Sequence, residues 1–217
     1  IKILDLPFQN NFTDFGDIGL AMIAGGTSNQ PTFALSGRKA GEYCAVFNGS
    51  QSIKTSANLP INSDKVTIAF WMKTTQTGFS VVAEMSTNTN NSTTNAFNTT
   101  INEATSKIRL YDAKNAQFNI GNSTVNINDG TWKHIVLIIN RSQGVNQNNI
   151  YVNGTVSYSQ LGAPYNADNN GNFIKDSLFI GQRAGNHLGF LGSLTKLKIY
   201  DYPFTATDVT NLYNSEL

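Results

Sequence analysis

Charge is scarce in this sequence. Asp, Glu, Lys and Arg make up 13% of its 217 residues, about half of the ~25% usual for a soluble domain. Fifteen Lys and Arg against fourteen Asp and Glu leave a net charge of +1. The basic residues are scattered. A nucleic-acid or anionic-lipid surface normally shows as a basic stripe or a block of like charge, so neither class of partner is expected. Histidine is rarer still, with His134 and His187 alone. Neither belongs to a His-x-x-x-His pair or sits beside a cysteine, which leaves a zinc site short of soft ligands. The one cysteine, Cys44, excludes an intrachain disulfide by counting. It lies in the apolar run Tyr43-Cys44-Ala45-Val46-Phe47 and reads as a small core residue. A chain of this length buries roughly 70% of its extended surface and needs no covalent staple. No apolar run reaches the ~18 residues that cross a bilayer, so membrane insertion is not expected. Nor does a charged-then-apolar leader open the chain. Ile1 already reads as part of a strand, as in a domain excised from a longer protein.

What replaces charge is Asn, Thr, Ser, Gln and Gly. These residues favour turns and are poor in helix interiors, so the composition points to an all-β protein rich in loops. Sandwiches of roughly 200–250 residues fold as single units, and residues 1–217 are read as one domain. Short β-branched and aromatic runs recur between Gly, Asn, Asp and Pro clusters. They are Ile1–Leu6, Ala45–Phe47, Ser52–Thr55, Lys65–Lys73, Phe79–Met85, Lys107–Tyr111, Ala116–Ile120, Trp132–Asn140, Asn149–Asn153, Thr155–Tyr158, Ser177–Gly181 and Leu191–Tyr200. Lys65–Lys73 alternates, with Val66, Ile68, Phe70 and Met72 on one face. Phe79–Met85 is its expected antiparallel neighbour. Trp132–Asn140 is apolar on both faces and therefore central. Asn48-Gly49 and Asn153-Gly154 carry the strongest short hairpin signal. Thr205-Ala206-Thr207-Asp208 resembles a capping box, and the spacing of Val209, Leu212 and Tyr213 predicts one short helix over Thr205–Ser215. Gln9–Ser36, Thr87–Thr100 and Gly162–Asn172 read as loops. Asn-x-Ser/Thr sequons such as Asn48-Gly49-Ser50 arise readily in so Asn- and Thr-rich a chain and carry no weight.

Five landmarks stand in a telling order: Ala45-Val46-Phe47-Asn48-Gly49-Ser50, Val66–Lys73, Gly130-Thr131-Trp132-Lys133-His134-Ile135-Val136-Leu137, Ile150-Tyr151-Val152-Asn153-Gly154, and Leu178-Phe179-Ile180-Gly181 running on through Phe190–Leu194 to Ile199-Tyr200. With the tail Asp201-Tyr202-Pro203-Phe204 they span most of the chain. In this order they resemble the laminin G-like, concanavalin A-like jelly-roll family, the pentraxin-related group. The resemblance implies a two-sheet antiparallel β-sandwich with one short C-terminal helix. It also implies a ligand on the concave face or rim loops, and in several members a Ca²⁺ ion. The family spans lectins, carbohydrate-binding modules, adhesion domains and some glycoside hydrolases. Trp71 and Trp132 correspond to positions that mostly serve packing, and His134, mid-strand among apolar residues, is expected to be a hydrogen-bonded structural residue.

Glycosidases need two carboxylates about 5–10 Å apart. The glutamates Glu42, Glu84, Glu103 and Glu216 form no Glu-x-Asp-x-x-Glu pattern, and Asp112 is a lone acid at a strand end. The chain is therefore read as a non-enzyme, with Glu84 and Asp112 the residues a hydrolase reading would need. For Ca²⁺, Asp14, Asp17, Asp168 and Asp201 offer hard oxygens, although Thr195 stands where many family members carry an acid. For a glycan, rings beside amides are wanted. Arg183, Asn186, His187 and Phe190, with Tyr165 and Asn166 in the preceding loop, are the candidates, and Tyr111 and Tyr158 join them if they face outward. The expected function is recognition of a glycan or glycoprotein by a secreted, cell-surface or virion-surface protein. Its rival is a structural or adhesion domain that contacts protein and binds no sugar.

Overall fold

The computed structural model describes residues 1–86, 97–101, 106–112, 118–142, 147–161, 171–173 and 176–217. They form β1 (Lys2–Leu6), β2 (Met22–Ala24), β3 (Thr32–Leu35), β4 (Tyr43–Asn48), β5 (Ile53–Thr55), β6 (Lys65–Lys73), β7 (Ser80–Ser86) and β8 (Phe97–Ile101). After these come β9 (Ile108–Asp112), β10 (Phe118–Asn122), β11 (Lys133–Asn140), β12 (Gln147–Val152), β13 (Thr155–Leu161), β14 (Ser177–Ile180), β15 (Leu191–Tyr200) and α1 (Ala206–Glu216). Among the described residues the strands make an eight-stranded sheet, β13-β12-β11-β6-β15-β4-β3 with β1 also on β15, and a seven-stranded sheet, β10-β9-β8-β7-β14-β5-β2. All the strand pairs are antiparallel. The fold is the expected all-β sandwich with a C-terminal helix.

Strand alternation builds the core. Val66, Ile68, Phe70 and Met72 of β6 and Ile135, Leu137 and Ile139 of β11 meet Met85, Ile108, Leu110, Leu178 and Ile180 of the opposite sheet. The other faces of β6 and β11 are buried too, because α1 covers them: Ala69, Val136, Ile138 and Tyr151 pack with Val209, and Phe204 and Leu212 close the edges. This is why Trp132–Asn140 is apolar on both sides. Thr205 caps α1 through a complete capping box with Asp208, as the sequence predicts. β12 and β13 form the predicted hairpin, turning at Asn153 (φ 51°) and Gly154 (φ 76°). Cys44 is buried, as read from its apolar run.

Other expectations need correction. Asn48-Gly49 does not close a hairpin: β4 lies in the eight-stranded sheet and β5 in the other, so this turn carries the chain across the sandwich. Nor is β7 the neighbour of β6, which pairs with β11 and β15, whereas β7 pairs with β8 and β14. The segment Gln9–Ser36 holds two short strands, β2 and β3, and the Asn/Thr tract ends in β8. β15 serves three partners. One edge runs along β6, while the other is shared, Leu191–Leu194 with β4 and Leu197–Tyr200 with β1. A bulge between Thr195 and Lys198 separates the halves, with Lys196 at φ 52°.

Candidate ligand groove beside the C-terminal helix

The structure does not gather the sequence-predicted site residues into one open surface. Phe190 is a correction: its ring is fully buried in the core, 5.9 Å from that of Phe47. Arg183 is another, because it is not a free loop cation. It is 7% exposed and its Nε donates to Glu84 Oε2 at 3.2 Å. Tyr111 faces the outer side of the seven-stranded sheet, as Glu84 does two strands away, but it is buried, with its hydroxyl against Arg109 Nη1. Tyr158 packs inward across the sandwich edge, so close to Gly121 that a Cβ there would lie 2.3 Å from its ring. Asn186 and His187 are exposed, at a tight turn closed by the Arg183 N–H on the His187 carbonyl at 2.7 Å. Tyr165 and Asn166 lie outside the described residues.

The two acids a hydrolase would need are both engaged. Glu84 is fully buried and accepts from Arg183 and from the Ala184 N–H at 3.1 Å. Burial pushes its carboxyl pKa up despite that guanidinium. Asp112 points the other way, into the sandwich, where Arg141 of the opposite sheet binds both its oxygens and neither residue is exposed. The pair therefore lies on opposite sides of one sheet. The calcium candidates are equally committed. Asp14 accepts from the backbone N–H groups of Asp5, Gly16 and Leu20 at 2.7–2.8 Å, and Asp17 accepts from Lys2 at 2.9 Å. The Thr195 hydroxyl meets the Pro7 and Tyr43 carbonyls. Asp168 lies outside the described residues, among which no three of His, Cys, Asp and Glu come together. Asp14, Asp17 and Thr195 are thus each occupied by backbone groups of the protein itself.

Under the end of α1 sits a polar cluster. Trp71 stacks on Tyr213 at 5.8 Å and donates from Nε1 to Glu216 Oε2 at 2.8 Å. The Arg38 guanidinium lies 4.1 Å above the Trp71 ring, and Lys198 pairs with Glu216. Trp71 is thus a packing residue. Trp132 is half-buried and donates to the Ser36 carbonyl at 3.0 Å. His134 differs from expectation: it is buried here, but neither ring nitrogen has a hydrogen-bond partner.

An open groove lies on the same face, beside the other end of α1. It has a volume of about 530 Å³. Volumes of ~300–1,000 Å³ are usual for small-molecule sites. Alternation on the β11–β12–β13 meander turns Ile138, Asn149, Tyr151, Val156 and Ser159 to this face, and Pro203–Ala206 form its wall. The Phe204 ring is held at 4.6 Å from Tyr200 and 5.6 Å from the exposed Tyr202. Among the described residues, the side chains of Asn149, Tyr151 and Ser159 make no hydrogen bond within the protein. Burial raises the Tyr151 pKa, so its hydroxyl stays a donor. No charged side chain lines the groove among the described residues. Rings to cover an apolar face, with amides and hydroxyls free to bond polar edges, suit an uncharged polyhydroxy ligand. Nothing in the sequence pointed to these residues as a group, since the groove joins segments some fifty positions apart.

Residues 47–210 match the concanavalin A-like lectin/glucanases superfamily. Similar solved structures include domain 4 of AbnA, an extracellular family 43 arabinanase from Geobacillus stearothermophilus, in complex with arabinotriose. It is 18% identical, with 98% of each chain covered and a TM-score of 0.67. A structure of botulinum neurotoxin type C, whose cell entry depends on interaction with two ganglioside molecules, is 13% identical with a TM-score of 0.72; all of this chain and 51% of that one are covered. The binding domain of Paraclostridial Mosquitocidal Protein 1 is 14% identical over 99% of this chain and 52% of that one, with a TM-score of 0.72. This chain therefore spans about half the length of the toxin domains. No curated protein matches by sequence. No helix among the described residues is long and apolar enough to cross a membrane. Two antiparallel sheets, the order of the landmarks and a match over residues 47–210 lead to one conclusion: the chain belongs to the concanavalin A-like lectin/glucanase superfamily.

Proposed function

We propose that this domain is a non-catalytic recognition module of an extracellular protein, and that it binds uncharged glycan in the groove beside α1. The observation that carries the reading is the set of unpartnered polar groups, Asn149, Tyr151 and Ser159, facing the Phe204 ring in a groove without charge among the described residues. In such a site a sugar's apolar face packs on the ring while its hydroxyls bond the amide and the hydroxyl groups. Affinity for one site is expected to be modest and raised by multivalency. The arabinotriose complex and the ganglioside-dependent toxin show that relatives of this fold meet sugars, and they support the class of ligand. The absence of catalysis is supported by Glu84 and Asp112, whose carboxylates are buried, arginine-bound and on opposite sides of a sheet.

The test is a glycan array followed by calorimetric titration of the best neutral ligand. Ser159→Arg, an exposed position, fills the groove and is expected to abolish binding, and Asn149→Ala is expected to weaken it about tenfold, the loss that ~1.4 kcal/mol of hydrogen bonding represents. Circular dichroism should be unchanged in both. A silent array, or binding that survives Ser159→Arg, overturns the reading; a silent array with stable oligomers favours the protein-contact alternative.

A further inference from the structure

A second groove, ≈460 Å³, opens at the turn end of the same β12–β13 hairpin. Val125, Asn126, Lys133, Asn153 and Thr155 line it, and so does Val156, which also lines the groove beside α1. Val156 is 53% exposed and Val125 45%. An apolar crest is therefore shared by two hollows, with a second apolar patch beyond it.

The free amide and hydroxyl groups of the first groove have counterparts here, with valines in place of aromatic rings. The side chains of Asn126 and Thr155 make no hydrogen bond within the protein among the described residues. Asn153 uses its Oδ1 to accept from the His134 N–H at 2.9 Å, which leaves its amide nitrogen outward as a donor. The charged residues at the rim cancel, because Lys133 Nζ donates to Asp129 Oδ2 at 2.7 Å. Hydrogen bonds from Lys133 and Thr131 hold the Asp129 carboxyl down at about 2, so the pair stays intact at ordinary pH. An anionic chain would have to break that pair, and a cationic one would compete with Lys133 for Asp129. A neutral ligand does neither.

We infer that the two grooves form one track over Val156 that holds an extended, uncharged oligosaccharide, with the Asn126–Thr155 hollow as a second subsite. This rests on the glycan reading of the groove beside α1.

The test uses arabino-oligosaccharides and cello-oligosaccharides of two to six units, titrated by calorimetry into the whole chain. In the series that binds, affinity is expected to rise about tenfold or more between two and five units, since the second subsite adds contacts within one ligand. Thr155→Arg blocks the second hollow from an exposed position, and Asn126→Ala removes an exposed amide. Both are expected to flatten the length dependence while leaving the two-unit ligand bound as in the parent chain. If short ligands bind normally and the gain with length survives Thr155→Arg, or if the parent shows no gain, the track is overturned and the first groove stands. If neither series binds and the glycan array is silent, the glycan reading falls and the track with it.

Discussion

His134 is pressed between the rings of Trp71 and Tyr213, with centroids 5.1 and 5.6 Å away, and has no hydrogen bond at either nitrogen. Burial and the nearby cations Lys198, Arg38 and Lys196 push its pKa from 6.5 down to about 3. Glu216 Oε2 lies 3.7 Å from Nε2 and pulls the other way, but that carboxylate is already held by Trp71 and Lys198. The unfolded chain therefore takes up a proton near pH 6.5 that the folded protein refuses until near pH 3. Stability is full above pH 6.5 and is lost as the pH falls through that window, at up to ~1.4 kcal/mol per pH unit. Urea unfolding at pH 7 and pH 5 measures it. The parent should lose roughly 2 kcal/mol more on acidification than His134→Phe. Equal losses would mean that the imidazole is protonated in the fold.

At the scale of elements, α1 is seated by a glycine. Gly154 turns the β12–β13 hairpin at φ 76°, and a Cβ there would stand 2.9 Å from Tyr213 Cδ1. Gly49, at φ 89° with nothing within 4 Å, isolates the backbone effect. Gly49→Ala is expected to cost only the strain of a left-handed residue, about 1 kcal/mol, and Gly154→Ala about 1–3 kcal/mol because Tyr213 must also move. Chemical melts followed by tryptophan fluorescence read both, since Trp71 stacks on Tyr213.

Elements whose signals are local were legible in the sequence. Alternation on β6, two apolar faces on β11 and the capping box of α1 each depend on residues a few positions apart, and the structure has all three. Beyond the hairpin at Asn153-Gly154, pairing was not legible. Asn48-Gly49 specifies a reversal of direction but not which sheet receives the next strand. Phe190 looked like a loop aromatic because β15 begins one residue later, at Leu191, although its ring already faces the core. Arg183 looked free because its partner, Glu84, lies 99 positions away. The groove was hidden for the same reason, its floor and its wall being far apart in the chain.

Across the whole molecule, the two sheets are tied by an ion pair as well as by the core. Asp112 at the end of β9 and Arg141 just after β11 meet in the interior, with the guanidinium 3.7 Å from the centre of the Phe173 ring. Removing one partner leaves a buried charge, so Asp112→Ala is expected to cost about 3–5 kcal/mol in denaturant unfolding, and the double variant Asp112→Ala/Arg141→Met less than that. A double variant no better than Asp112→Ala would show that the cost does not come from burying the guanidinium without its carboxylate.

The divided edge of β15 sets a timetable for biosynthesis. Lys2 pairs with Tyr200, so among the described residues β1 has no partner strand until about 200 further residues have been made. At roughly 5–20 residues per second, that interval is on the order of 10–40 s. Throughout it Ile3, Leu4 and Leu6, all core residues of the finished fold, lack their final neighbours. The nascent chain must shelter them or risk sticking to its own kind.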